Sequence, residues 1–145
     1  MSSPIYVIID TNVVVSALLN PRSNPGIVVT EALLGCLTPV LNVEILEEYK
    51  DVLTRPFFSF NPAVVDAVIE GLRQRSVSLN AIESGVILKD PTDLKFYEVT
   101  LSALGEGIID SFLVTGNLKH YPKENYIVNP AQMVELIRIE KALEN

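Results

Sequence analysis

Residues 5–12 read Ile5-Tyr6-Val7-Ile8-Ile9-Asp10-Thr11-Asn12. Five apolar or aromatic residues in a row, four of them β-branched, are the pattern of a strand covered on both faces rather than one with a wet side. The run ends on an acid and two small polar residues. In open α/β sheets the ligand crevice lies beyond the carboxyl ends of the strands, so Asp10 stands where chemistry is usually done. It stands equally well as the cap of a following helix, a common role for Asp and for Asn12. Position alone leaves both readings open.

Working outward, short apolar runs recur at Thr38–Leu41, Val86–Leu88, Phe112–Thr115 and Tyr126–Val128. Helical patterns fall at Val13–Leu19, Pro25–Leu34, Val43–Leu53, Pro62–Gln74, Asp93–Leu104 and Pro130–Leu143. Alternation of buried strands with helices predicts an α/β fold, a parallel sheet of five strands with helices on both faces. Asn24-Pro25, Asn61-Pro62 and Asn129-Pro130 each put a capping side chain before a proline suited to the first helical turn.

The chain has 145 residues, 48% of them hydrophobic, enough for one core, and nothing in it demands a second domain. Disorder is expected only at the last residues, Lys141 to Asn145. The opening MSSPIYVIIDTN lacks the basic flank of a signal peptide, and no run approaches the roughly 18 apolar residues of a membrane span. A cytoplasmic protein with no membrane partner is expected. Cys36, the only cysteine, reads as a small apolar packing residue, and His120 is the only histidine.

Net charge is −7 and the pI about 4.6. Nucleic-acid binders usually carry the opposite balance. A nucleic-acid ligand would therefore require that bases such as Arg22, Arg55, Lys89, Lys95, Lys119 and Lys123 gather on one face, or that a cation reverses the local field.

The acids can be sorted by geometry. On the third helix, at about 100° per residue, Ile45, Leu46, Tyr49, Val52 and Leu53 form an apolar arc. Glu48 lies about 40° from Val52, at its edge, while Glu47 and Asp51, and with them Glu44, read as a solvated face. On the segment from Asp93, Leu94, Phe96, Tyr97, Thr100, Leu101 and Leu104 spread to either side, so Asp93 falls inside the inward arc with Lys95, Glu98 and Ser102 outward. A buried carboxylate shifts its pKa upward or finds a cation. Asp90-Pro91-Thr92-Asp93 also fits a helix start, which explains Asp90 but not the inward direction of Asp93. Asn117, after the Phe112–Thr115 strand, either offers an amide to a metal-bound water or only shapes the Gly116-Asn117 turn. Asp10, Glu48, Asp93 and Asn117 are thus predicted at one edge of the sheet. Three clustered carboxylates repel, and Mg²⁺ or Mn²⁺ would relieve that conflict and lower the pKa of a bound water.

The order IIDTNVVVSALL, EILEEYKDVLTRPFF, KDPTDLKFYEVTLSA, FLVTGNLKHYP and IVNP, spanning about Ile5 to Met133, resembles bacterial PIN-domain proteins that are toxin components of toxin–antitoxin systems (VapC-like). The resemblance implies a three-layer α/β/α sandwich and a Mg²⁺- or Mn²⁺-dependent endoribonuclease acting on single-stranded RNA. It makes Asp10, Glu48 and Asp93 metal-ligand carboxylates, with Thr11, Asn12 and Thr115 lining the site and Asp90 assisting. It also implies a small antitoxin protein as partner and a homodimer. Many relatives carry Asp at the position of Asn117; its loss leaves one metal plausible and a second less so. Lys119 and His120 are candidate RNA contacts or solvated loop residues. The rival expectation is a PIN-like binding module that no longer cuts. A signalling receiver domain would want paired acids early in the chain, and Asp10 has no acidic neighbour.

Overall fold

The computed structural model describes residues 4–108 and 110–144. Five parallel strands, β1 (Ile5–Ile9), β2 (Leu37–Leu41), β3 (Val77–Ser78), β4 (Ser111–Val114) and β5 (Ile127–Val128), stand in the order β3-β2-β1-β4-β5. The helices are α1 (Thr11–Leu19), α2 (Asn24–Leu34), α3 (Val43–Leu53), α4 (Pro62–Arg75), α5 (Leu94–Gly105) and α6 (Pro130–Glu144). The architecture is the expected α/β three-layer sandwich.

β1 owes its central place to its composition. Val7, Ile8 and Ile9 have almost no exposed surface, so both faces of the strand contribute to the core. The chain passes from β1 to β2 on one side, while β4 adds on the other, and the direction change opens a crevice between the ends of β1 and β4. Register carries Ile9 opposite Val114, so the next residues, Asp10 and Thr115, meet at its mouth.

Three expectations about the elements need correction. The third strand is Val77–Ser78, which pairs with Val40 and Leu41, and not Val86–Leu88. Residues 86–88 form a loop in which Ile87 is 96% exposed while Leu88 is buried; the Val86 amide donates to Ser84 Oγ instead of to a strand. Val86 and Leu88 both pack toward the core while Ile87 turns out, an alternation that makes so short an apolar run look like a strand. The cap of α2 is Ser23, which accepts from the Gly26 amide at 3.2 Å, and Asn24 is already helical. Asn61 does cap α4, and Asn129 exchanges hydrogen bonds with Gln132 at 2.8 Å each way, a reciprocal cap worth about 1 kcal/mol. At the other end of the chain, α6 continues through Glu144, with Lys141 Nζ 2.9 Å from Glu31 Oε1, where disorder was expected; Asn145 lies outside the described residues.

Cys36 is exposed rather than packed. It follows the left-handed Gly35 that ends α2, beside Glu31, at the end of the sheet opposite the crevice; Glu31 beside it raises its pKa above that of an ordinary thiol. No helix among the described residues is long and apolar enough to cross a membrane.

Candidate active site

The crevice is an open cleft of about 580 Å³ lined by Asp10, Thr11, Asn12, Glu48, Asp90, Asp93, Asn117 and His120 among others. Several elements deliver them. Asp10 follows β1, Glu48 rides on α3, and Asp93 closes the 3-10 turn Pro91–Asp93 that leads into α5. Asn117 and His120 come from the turn after β4.

A buried brace fixes these elements together. Tyr49, fully buried, donates its hydroxyl to the carbonyl of Ile9, and its ring stacks on Phe96 at 6.5 Å between centroids. Ile9 precedes Asp10, Tyr49 follows Glu48, and Phe96 follows Lys95. One aromatic contact in the core thereby sets the spacing of three charged neighbours.

Asp10 resolves its two readings. It occupies the N-cap position of α1, yet its side chain makes no capping bond. Its Oδ2 instead accepts from Thr115 Oγ1 at 2.8 Å and from the Tyr121 hydroxyl at 3.0 Å. Asp93 behaves alike: it holds the N-cap position of α5 without capping it, and its Oδ2 lies 3.1 Å from His120 Nδ1. Asp90 is the residue that caps, accepting from the Thr92 amide and hydroxyl at 3.0 and 2.8 Å; the amide bond above all lowers its pKa. Two acids at helix starts that decline the local bond and turn into a cleft are positioned for something other than capping.

Burial raises the pKa of both Asp10 and Asp93. For Asp10 the neighbouring charges of Asp93 and Glu48 push the same way, against the lowering donors Thr115 and Tyr121. Around Asp93, Asp90 and Glu48 raise and His120 lowers. Tyr121 is held far above an ordinary phenol by burial first and then by Asp10, so it stays a donor.

Glu48 is engaged at both oxygens, by the Thr11 hydroxyl on Oε2 and by Lys95 Nζ at 2.6 Å on Oε1. Lys95 also donates to the Thr92 carbonyl and lies over the Phe96 ring. This corrects the outward placement of Lys95, whose side chain is 13% exposed; Ser102 is buried too, and Glu98 accepts from the Ser84 amide and hydroxyl. Among the described residues, no group of three or more His, Cys, Asp or Glu side chains is arranged to hold a metal ion. In this arrangement Lys95 supplies positive charge to Glu48. The donor set still fits a hard divalent cation, since it is built of carboxylate oxygens and two of its acids are buried where their charges are costly.

Of the supporting candidates, Asn12 Oδ1 accepts from the Gly116 amide at 3.0 Å, tying the start of α1 to the end of β4. The Asn117 amide donates to Thr115 Oγ1 at 3.0 Å, which shapes the turn, and its side chain lines the cleft. Lys119 is exposed and falls outside the cleft, on an adjoining depression with Asn117 and His120. Of the six bases expected to gather, Arg55 lines the cleft and Lys95 reaches Glu48; Arg22, Lys89, Lys119 and Lys123 are not among its lining residues. Tyr121, the inward Lys95 and the bond from Tyr49, itself expected on the apolar arc, to Ile9 carry no mark of their own in the sequence. The only signal for them was proximity to predicted site residues.

A family model described as PIN domain matches residues 6–119, most of the chain, from β1 through the turn that follows β4. Neither the curated proteins nor the solved structures compared with the chain contain a match.

Proposed function

Because this chain belongs to the PIN domain family, a nuclease-type fold whose members typically use divalent metals, we propose that it is a metal-dependent endoribonuclease acting on single-stranded RNA, with Asp10, Glu48 and Asp93 as its acidic centre. The observation that carries this reading is the pair of buried, uncapped aspartates, Asp10 and Asp93, turned into one cleft beside Glu48.

Asp10 and Asp93 would hold Mg²⁺ or Mn²⁺, with Glu48 joining them when Lys95 releases it. A divalent cation bound there supplies a water of lowered pKa and neutralises charge building on the scissile phosphate. Thr115 and Tyr121 fix the orientation of the Asp10 carboxylate, which keeps its charge aimed without a search through rotamers. His120, beside Asp93 and partly exposed to the cleft, stands where it can donate to a phosphate oxygen. Lys95 balances the acids while no cation is present.

The cellular role in this proposal is that of a toxin, restrained by a small antitoxin protein, homodimeric and cytoplasmic. Its support is the resemblance of the five segments together with the family. A second reading, a PIN-like binding module that has lost cleavage, is favoured by the Lys95–Glu48 pair, and by Asn117 where the resemblance implies Asp in many relatives. Labelled single-stranded RNA incubated with the protein and Mn²⁺, beside Asp93→Asn, decides between them. The nuclease reading expects cuts from the native protein alone; equal inertness across several RNAs sinks it.

A further inference from the structure

We propose that the aromatic turn at residues 55–60 is a nucleobase-stacking platform for single-stranded RNA, with Phe57 the ring on which a base stacks; the assignment rests on the nuclease reading of the adjoining cleft.

The sequence Arg55-Pro56-Phe57-Phe58-Ser59-Phe60 forms a single 3-10 turn over Pro56–Phe58. It is ended by Ser59 at φ 54, the one non-glycine residue in the left-handed region among the described residues. Proline fixes φ at the start, and the Ser59 amide and hydroxyl both donate to the Pro56 carbonyl at 3.2 Å, which closes the turn in spite of the unfavourable backbone at Ser59. Across it, Phe58 and Phe60 stack nearly parallel, 5.3 Å apart with 6° between their planes. Phe57 packs edge-on to Phe58 at 5.2 Å and 80° and is itself 89% exposed. A phenylalanine left this bare gains little from burial, and its ring face is open to a ligand.

Two observations choose the occupant. Arg55 and Phe58 line the same cleft as Asp10, Glu48 and Asp93, so a strand crossing the acids meets this turn. Arg55, anchored by Asp51 at 3.1 Å, is a cation at the platform's edge that can face a base or its phosphate. The second is the charge of the whole chain, −7, which denies it the sequence-independent phosphate attraction that most nucleic-acid binders use. Base stacking needs no net positive charge and tolerates any sequence, because every base offers a flat face. It also demands unpaired bases, which selects single strands over duplex.

The chain has no tryptophan, so Phe57→Trp places one fluorophore on the platform. In an Asp93→Asn background, a single-stranded RNA ten-mer of mixed sequence is expected to quench its emission, and pyrophosphate or the same RNA as a duplex is not. By fluorescence anisotropy, Phe57→Ala is expected to weaken binding of the ten-mer about tenfold, within the range for one lost base–aromatic stack, while leaving the salt dependence unchanged. Binding without quenching, or unchanged affinity in Phe57→Ala, overturns the proposal. So does a Phe57→Ala effect confined to oligomeric state by light scattering, which makes the turn a protein interface. Failure of the ten-mer to bind at all overturns it as well. Mn²⁺-dependent cleavage by Phe57→Ala with Asp93 intact is scored separately, so the platform can fail while the nuclease reading stands.

Discussion

Lys95 Nζ lies 2.6 Å from Glu48 Oε1, an ion pair joining α5 to α3 across the acidic cleft with side chains only 13% and 22% exposed. At that burial the pair is screened far less than a surface bridge, and each partner depends on the other. Lys95→Met should therefore destabilise the metal-free protein by about 1–3 kcal/mol, the scale of a hydrogen bond to a charged group. The freed Glu48 then needs a cation from elsewhere. Urea denaturation with and without Mn²⁺ is expected to show a larger metal-induced stabilisation for Lys95→Met than for the native protein; an equal or smaller one means that Lys95 does not stand in for the metal.

Asp10→Asn should separate stability from activity. Asparagine keeps an oxygen for Thr115 and Tyr121 but removes a buried charge that Asp93 and Glu48 repel. Without metal the variant is expected to be more stable at neutral pH by about 0.5–2 kcal/mol, the usual gain when a strained functional group is relaxed. Cleavage should fall by on the order of 10²-fold or more. Thermal melts paired with cleavage assays check both signs, and a variant that loses stability and activity together argues for a purely structural Asp10.

The raised pKa values of Asp10 and Asp93 fix a pH trend. Each binds its proton more tightly folded than unfolded, so between the ordinary value of 3.8 and the raised folded value the native state carries more protons. Stability contributed by these two groups is present in full below that window and declines as pH rises through it. Asp90 and Glu31, whose values are lowered, act in the opposite sense, which calls for a difference measurement. Metal-free native protein should lose stability relative to an Asp10→Asn, Asp93→Asn double variant as pH rises from 4 to 7. Tyr121→Phe removes a donor to the ionised Asp10 and should extend that loss to higher pH. A flat difference across the range contradicts both shifts.

Gly26 tests the fold away from the cleft. A Cβ there would come 2.2 Å from the Pro21 carbonyl oxygen and 2.5 Å from its carbon, both backbone atoms of the link between α1 and α2. Neither can give way as a side chain does. Gly26→Ala should cost about 1–3 kcal/mol or more in urea denaturation, although alanine is the better helix former.

What could be read in advance follows from the range of the signals. β1 announces itself because burial on both faces leaves five residues with no polar interruption, and Glu48 can be separated from Glu47 because a helix repeats by a known angle. Asp93 stands out for a similar reason, an acid inside an apolar arc. Tyr121 carries no such mark. It lies in a loop without periodicity, and its importance comes from a hydrogen bond to a residue 111 positions earlier. Lys95 was assigned outward because projection treats a helix as isolated; α3 approaching from the side turns that face into an interior. β3 is two residues long and gains its identity only from pairing with β2.

The tie between Asp10 and Tyr121 also has a consequence in time. Of the five strands of this sheet, the first to be synthesised is the central one, but one of its two neighbours, β4, begins at residue 111. A growing chain can assemble β1, β2 and the helices around them long before Thr115 and Tyr121 exist to receive Asp10. The aspartate that begins the cleft waits until Tyr121 has been made, so copies cut short before Thr115 carry the acids without the machinery that aims them.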